Sequence, residues 1–131
     1  MLLEDDQHCF ACGMNNPDGL RIQWKTENRF TTAEFVADRK YQGWKGILHG
    51  GIVATLLDEA MTRLAWELWG AVVTAEITVR YVAPARIGET LVVTGEVVAE
   101  SRKILEMKAS LCDKSGKKIA HATGKVMKLK K

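Results

Sequence analysis

Apolar positions along the chain change their period twice, and those changes divide it into elements. From Leu20 to Thr26 and from Thr31 to Ala37 apolar and polar residues alternate. That is the period of a strand with one buried face, and Glu27-Asn28-Arg29 reads as the turn between the two. Lys40 to Leu48, holding Gly43 and Gly46, reads as an irregular loop. The period then lengthens. On a helical wheel Ile52, Val53, Leu56, Leu57, Ala60, Met61, Leu64 and Leu68 fill one broad face, which predicts a helix from about Gly50 to Trp69 with Gly70 as its C-cap. Strand patterns return over Val72 to Val82, Thr90 to Glu100, Ile104 to Cys112 and Ile119 to Leu129. In the second of these Leu91, Val93, Gly95, Val97 and Ala99 share a face. The breaks are Pro84 to Gly88, Ser101-Arg102-Lys103 and a hairpin at Asp113-Lys114-Ser115-Gly116. Two strands, one long helix and four strands make an α+β domain with an antiparallel sheet. A helical face that broad has to be wrapped, so the sheet is expected to curl around it.

Length and composition fit one globular domain over residues 1–131, with a turn-rich segment at 1–19. The longest strongly apolar stretch, Ile52 to Leu57, is far shorter than the ~20 residues a membrane span requires. The opening Met-Leu-Leu-Glu-Asp-Asp lacks the basic-then-apolar order of a signal peptide, so a cytoplasmic protein is expected. The net charge of +3 owes much to the tail from Lys125. Basic residues elsewhere mostly alternate with apolar ones, as on the solvent face of a strand, so no nucleic-acid partner is expected.

Three cysteines in such a chain are expected to be reduced. Cys9-Phe10-Ala11-Cys12, beside His8, has half of a zinc pattern. A structural zinc takes four ligands, and no second Cys-x-x-Cys exists; Cys112 and His121 would join only by tertiary accident. The pair therefore reads as two ordinary thiols in an N-terminal turn, with no metal and no cofactor.

The densest chemistry lies at His49-Gly50-Gly51 and at Asp58, on the predicted helix. Backbone N–H groups at a helix N-terminus polarise a carbonyl, and a carboxylate attacks one or activates water. Eight residues at ~1.5 Å each separate Gly50 from Asp58 by about 12 Å, whereas reacting groups meet at about 3–3.5 Å. One chain therefore cannot use both groups on one substrate. Two antiparallel helices from a twofold dimer can, since each N-terminus then faces the partner's mid-helix. The neighbouring Glu59 has a plainer explanation in Arg63, four residues on in the favourable order. Asp58 has no such partner and sits among Ala54, Thr62 and Ala65, a stripe of small side chains. His49 is read first as fixing the turn through its ring N–H, and second as a general base. Thr74 shares a strand face with Glu76, Thr78 and Arg80. Trp44, in the loop before His49, is a candidate pocket wall.

These residues carry a resemblance. Cys9-Phe-Ala-Cys-Gly13, Asn16-Pro-Asp-Gly-Leu20, Gly46-Ile-Leu-His-Gly-Gly51, Leu57-Asp-Glu59 and Thr78-Val-Arg-Tyr-Val-Ala-Pro84 together resemble the hotdog-fold acyl-CoA thioesterases of the PaaI-like type. The resemblance implies a sheet wrapped around one long central helix, and hydrolysis of an acyl-CoA to free acid and CoA. It implies Asp58 as nucleophile or general base, the Gly50 N–H as donor to the thioester oxygen, and Thr74 as the residue positioning water. Some members carry Asn six residues before the histidine. This chain has Gly43 there, with Gln42 adjacent, so Gln42, Gly43, Trp44 and Gly51 are the substrate-side candidates. A homodimer is the minimum assembly, and a tetramer is common in the family. Two other functions remain open. A dehydratase or hydratase of the same fold typically shows further histidine motifs, and a non-catalytic acyl-CoA sensor usually carries an added DNA-binding segment.

Overall fold

The computed structural model describes residues 3–129. Its elements are β1 (Lys25–Glu27), β2 (Phe30–Val36), a 3-10 turn at Arg39–Tyr41, α1 (Gly50–Trp69), β3 (Val72–Tyr81), β4 (Thr90–Glu100), β5 (Ile104–Asp113) and β6 (Lys118–Lys128). The strands form one sheet in the order β1-β2-β4-β5-β6-β3, every neighbouring pair antiparallel. This is the α+β hotdog arrangement, with α1 packed on one face of the sheet against β3, β4, β5 and β6.

The helix has the bounds that its periodicity predicts. Leu56, Leu57, Met61 and Leu64 are fully buried, facing an inner sheet surface that includes Leu91, Val93, Leu105, Met107, Leu111 and Val126. Each such side chain contributes on the order of 1.5–3 kcal/mol on leaving water. Ile52 and Leu68, at the margins of the predicted face, are only partly buried, whereas Ala65 is wholly buried in the core instead of joining the small-residue stripe. Two glycines set the helix-to-sheet distance. A Cβ on Gly95 would lie 2.5 Å from the Ala60 carbonyl oxygen, and one on Gly124 would lie 2.9 Å from the Met61 methyl.

Three local departures from the sequence pattern have physical causes. The first strand is only Lys25–Glu27, because Arg21 takes a positive φ of 52° and the Leu20 and Ile22 N–H groups donate to Phe10 and Ala11 carbonyls. A ladder shift between Val97 and Ala99 turns Ala99 outward, so it leaves the face it was assigned. A second shift between Thr74 and Glu76 inserts Ala75 as an extra residue in β3. Thr74 therefore does not share the exposed face of Glu76, Thr78 and Arg80.

Candidate active site

The loop before α1 is braced on three sides. The His49 N–H donates to Tyr41 O, Leu48 N–H to Ala85 O, and Gly43 N–H to Ile47 O, each at 2.9 Å. His49 is the N-cap, extended at φ −60° and ψ 133°. Its ring does fix the turn, but as an acceptor: Nδ1 takes the Gly51 N–H at 2.8 Å, which corrects the expected ring N–H donation. Of the two glycine donors, Gly51 is thus spent on the cap. The Gly50 N–H has no acceptor among the described residues and remains free for a ligand.

Gly50 has a second neighbour in Tyr81, which the sequence showed only as part of the Thr78–Pro84 motif. The Tyr81 hydroxyl donates to the Gly50 carbonyl at 2.7 Å, and its ring would lie 3.6 Å from a Cβ at position 50. Tyr81 at the end of β3 therefore buttresses the peptide that follows the free N–H. The tyrosine three residues before Pro84 is the sequence signal for it.

Asp58 sits two turns further along α1, half-buried, between Ala54 and Thr62. The Thr74 hydroxyl donates to Asp58 Oδ1 at 2.7 Å, reaching the helix because the bulge at Ala75 re-aims it. This hydrogen bond holds one carboxylate oxygen, and Oδ2 accepts none among the described residues. Thr62 does not compete, since its hydroxyl donates to the Asp58 backbone carbonyl.

The candidate residues thus fall into two groups. His49 and Gly51 line a cleft of about 500 Å³ at the N-terminus of α1, together with Gln42, Phe10, Tyr41 and Ile52. Asp58 and Thr74 lie outside it. Gln42 has a structural duty as well, its Oε1 accepting the Gly46 N–H at 2.8 Å. Gly43 lies against the N-cap residue, and a Cβ there would come within 3.1 Å of His49 Cα. Trp44 is 85% exposed and lies outside the cleft.

Glu59 is not where its helical neighbour suggested. Arg63 pairs with Glu67 at 3.4 Å and with Asp5 at 3.8 Å, not with Glu59. Glu59 turns instead toward the N-terminal segment, with Cys9 Sγ 3.9 Å from its Oε1. Its Oε2 is buried without a hydrogen-bond partner among the described residues. Burial pushes the Glu59 carboxyl above the usual carboxylate range. Burial, and then the proximity of Glu59, hold the Cys12 thiol well above the usual thiol range. The i+4 geometry misled because Asp5, distant in sequence, takes part of the guanidinium.

A family model described as "Thioesterase superfamily" matches residues 45–120, the stretch from the loop before His49 into β6. The chain belongs to this superfamily. Among its relatives, acyl-coenzyme A thioesterase 13 of Homo sapiens is 31% identical over 90 residues, and that of Mus musculus 30%. Each match covers 66% of this chain and 64% of the relative, so it spans somewhat less than two thirds of their length. The E. coli PaaI protein from the phenylacetic acid degradation operon superposes with a TM-score of 0.80 at 20% identity, over 85% of this chain and 81% of that one. Zebra fish thioesterase superfamily member 2 gives 0.79 at 23% identity, over 92% and 91%. A Streptococcus pneumoniae hypothetical thioesterase, solved with coenzyme A, gives 0.77 at 20% identity, over 81% and 84%. These structures share the hotdog fold of this thioesterase-superfamily chain.

Proposed function

We propose that the protein hydrolyses acyl-CoA thioesters to a free acid and CoA. The observation that carries the reading is the 2.7 Å hydrogen bond from Thr74 to Asp58, which fixes a half-buried carboxylate on a helix whose first N–H is free. The Gly50 N–H of one protomer polarises the thioester carbonyl and stabilises the oxyanion as it forms. Asp58 of the other protomer supplies the electron pair, attacking the carbon itself or taking a proton from water as water attacks. The C–S bond then breaks, and CoA leaves as its thiolate and is protonated; where Asp58 is the nucleophile, water next hydrolyses the acyl–Asp58 anhydride to the free acid and restores the carboxylate. Thr74 orients Asp58, and no cofactor takes part.

The sheet supports a twofold assembly. β3 is an edge strand ten residues long with its outer side unpaired among the described residues, whereas the other edge, β1, has only three residues. A long open edge is a template for pairing. Two β3 strands joined antiparallel about a twofold axis bring two α1 helices side by side in opposite directions, which sets each Gly50 toward the partner's mid-helix. Relatives named as acyl-CoA thioesterases, and a fold neighbour solved with coenzyme A, support CoA as the carrier. Among the described residues no helix is long and apolar enough to cross a membrane.

Release of CoA followed with a thiol reagent across a panel of aromatic and medium-chain acyl-CoAs tests the reading. Hydrolysis by the wild-type protein and its loss in Asp58→Ala, with the thermal midpoint retained, are expected. Equal turnover by the two proteins refutes it.

A further inference from the structure

One cluster outside the proposed hydrolytic site has the chemistry of a metal centre. Cys9, Cys12 and Glu59 each offer one ligand atom, all within 4.8 Å of one another, with Cys9 Sγ and Glu59 Oε1 3.9 Å apart. A tetrahedral zinc with bonds of ~2.3 Å to sulfur and ~2.1 Å to oxygen spaces such ligands about 3.6–3.8 Å apart. The present spacing needs only a small inward rotation of side chains to reach that.

The turn that carries the thiols is rigid. The Gly13 N–H donates to Cys9 O at 2.9 Å, and Asn15 N–H to Gln7 O at 2.9 Å. A Cβ on Gly13 would lie 2.3 Å from Cys9 N, so the tight Cys-x-x-Cys-Gly turn excludes any larger residue there. Two more hydrogen bonds, Leu20 N–H to Phe10 O and Ile22 N–H to Ala11 O, tie the residues between the cysteines to the following chain. The third member comes from α1, and its Oε2 is buried with no partner among the described residues. A buried carboxylate oxygen without a donor is costly, and a cation bound by this carboxylate offsets that cost.

We infer that Cys9, Cys12 and Glu59 bind one zinc ion, or another soft divalent ion, which pins the N-terminal turn to α1. Binding replaces the two S–H protons, which go to solvent, by two Zn–S bonds, and adds one Zn–O bond to the carboxylate. Water fills the fourth position from the adjoining cavity of about 290 Å³, which Cys9, Cys12, Glu59, Thr62 and Arg63 help to line. Two thiolates, one carboxylate and Zn²⁺ sum to a charge of about −1; the cavity wall carries Arg63, already paired with Glu67 and Asp5, together with the acidic Glu4 and Asp5. The two thiols alone lack enough ligands for a structural site. The folded chain supplies a third from fifty residues away, and water the fourth.

The test does not depend on thioester hydrolysis. Purified full-length protein is stripped with a chelator under reducing conditions, offered zinc, passed through a sizing column and analysed for metal. About one zinc per chain is expected to stay with the wild type and almost none with C9S/C12S. Glu59→Gln is expected to weaken zinc at least ~10-fold against a competing chelator. Zinc is expected to raise the thermal midpoint of the wild type and not that of C9S/C12S. Cobalt in place of zinc is expected to give thiolate-to-metal charge-transfer absorption. Wild-type protein that retains no zinc overturns the inference, whether or not the variants fold. So do equal retention by C9S/C12S, unchanged affinity in Glu59→Gln, a cobalt spectrum without thiolate bands, or a Cys9–Cys12 disulfide that persists under reducing conditions.

Discussion

Thr74→Val removes one hydroxyl, keeps the β-branched shape that a strand favours, and leaves the bulge at Ala75 undisturbed. The lost contact is the 2.7 Å hydrogen bond to Asp58 Oδ1. A hydrogen bond to a charged group is worth about 1.5–3 kcal/mol. If that energy is expressed in orienting the carboxylate for the transition state, it corresponds to a fall of about 10- to 150-fold in kcat. Thr74 is half-buried at one end of β3, so the fold should lose little. The assay is CoA release at saturating substrate beside a thermal melt, with Thr74→Ser as the rescue that restores the hydroxyl alone. A fall in kcat with an unmoved midpoint, recovered largely by serine, is expected. An unchanged kcat in Thr74→Val refutes the role of this hydrogen bond, and an equal loss in Thr74→Ser refutes the hydroxyl as its cause.

Further variants probe other parts of the structure. Gly95→Ala drives a methyl into the Ala60 carbonyl at 2.5 Å and should destabilise the fold by about 1–3 kcal/mol in urea titration. Tyr81→Phe removes the hydrogen bond to the Gly50 carbonyl and should lower kcat several-fold, because the peptide that follows the free N–H loses its buttress. Glu59→Gln gives a pH signature in chelated protein. Burial raises the Glu59 carboxyl above its ordinary 4.5 in the folded state, so the folded state holds the proton more tightly than the unfolded one. The stability this gives is full below about pH 4.5 and is lost as pH rises through the raised value. Urea titrations should therefore show Glu59→Gln gaining on the wild type as pH rises from 4 to 8. A gain on acidification instead contradicts the assigned cause.

The helix and most of the sheet were legible because their patterns are long. α1 carries a broad apolar face and a C-cap glycine, and both signals agree with Gly50–Trp69. The bulges in β3 and β4 were not legible, since an extra residue leaves no mark on composition while reversing every later side chain. That is why Thr74, which the resemblance singled out, was assigned to the wrong strand face. The N-terminal segment was the least legible. Leu20 to Trp24 alternates as a strand does, yet its donors go to Phe10 and Ala11 instead of a neighbouring strand. For the same reason Glu59 looked like a simple partner of Arg63. Only the folded chain brings Asp5 to the guanidinium and the two cysteines to the carboxylate.

The central claim, a site made from Gly50 of one chain and Asp58 of its partner, is tested most directly by mixing two inactive variants. Gly50→Pro deletes the free N–H at the first helical position, where proline's fixed φ suits the helix and the extended His49 before it is compatible. Asp58→Asn deletes the carboxylate. In a mixed dimer one site carries both lesions and the other carries neither. Random exchange puts about half of the chains into mixed dimers, so the mixture should recover about a quarter of wild-type CoA release. A mixture as inactive as its components contradicts the composite site, because chains that each hold a complete site cannot repair one another.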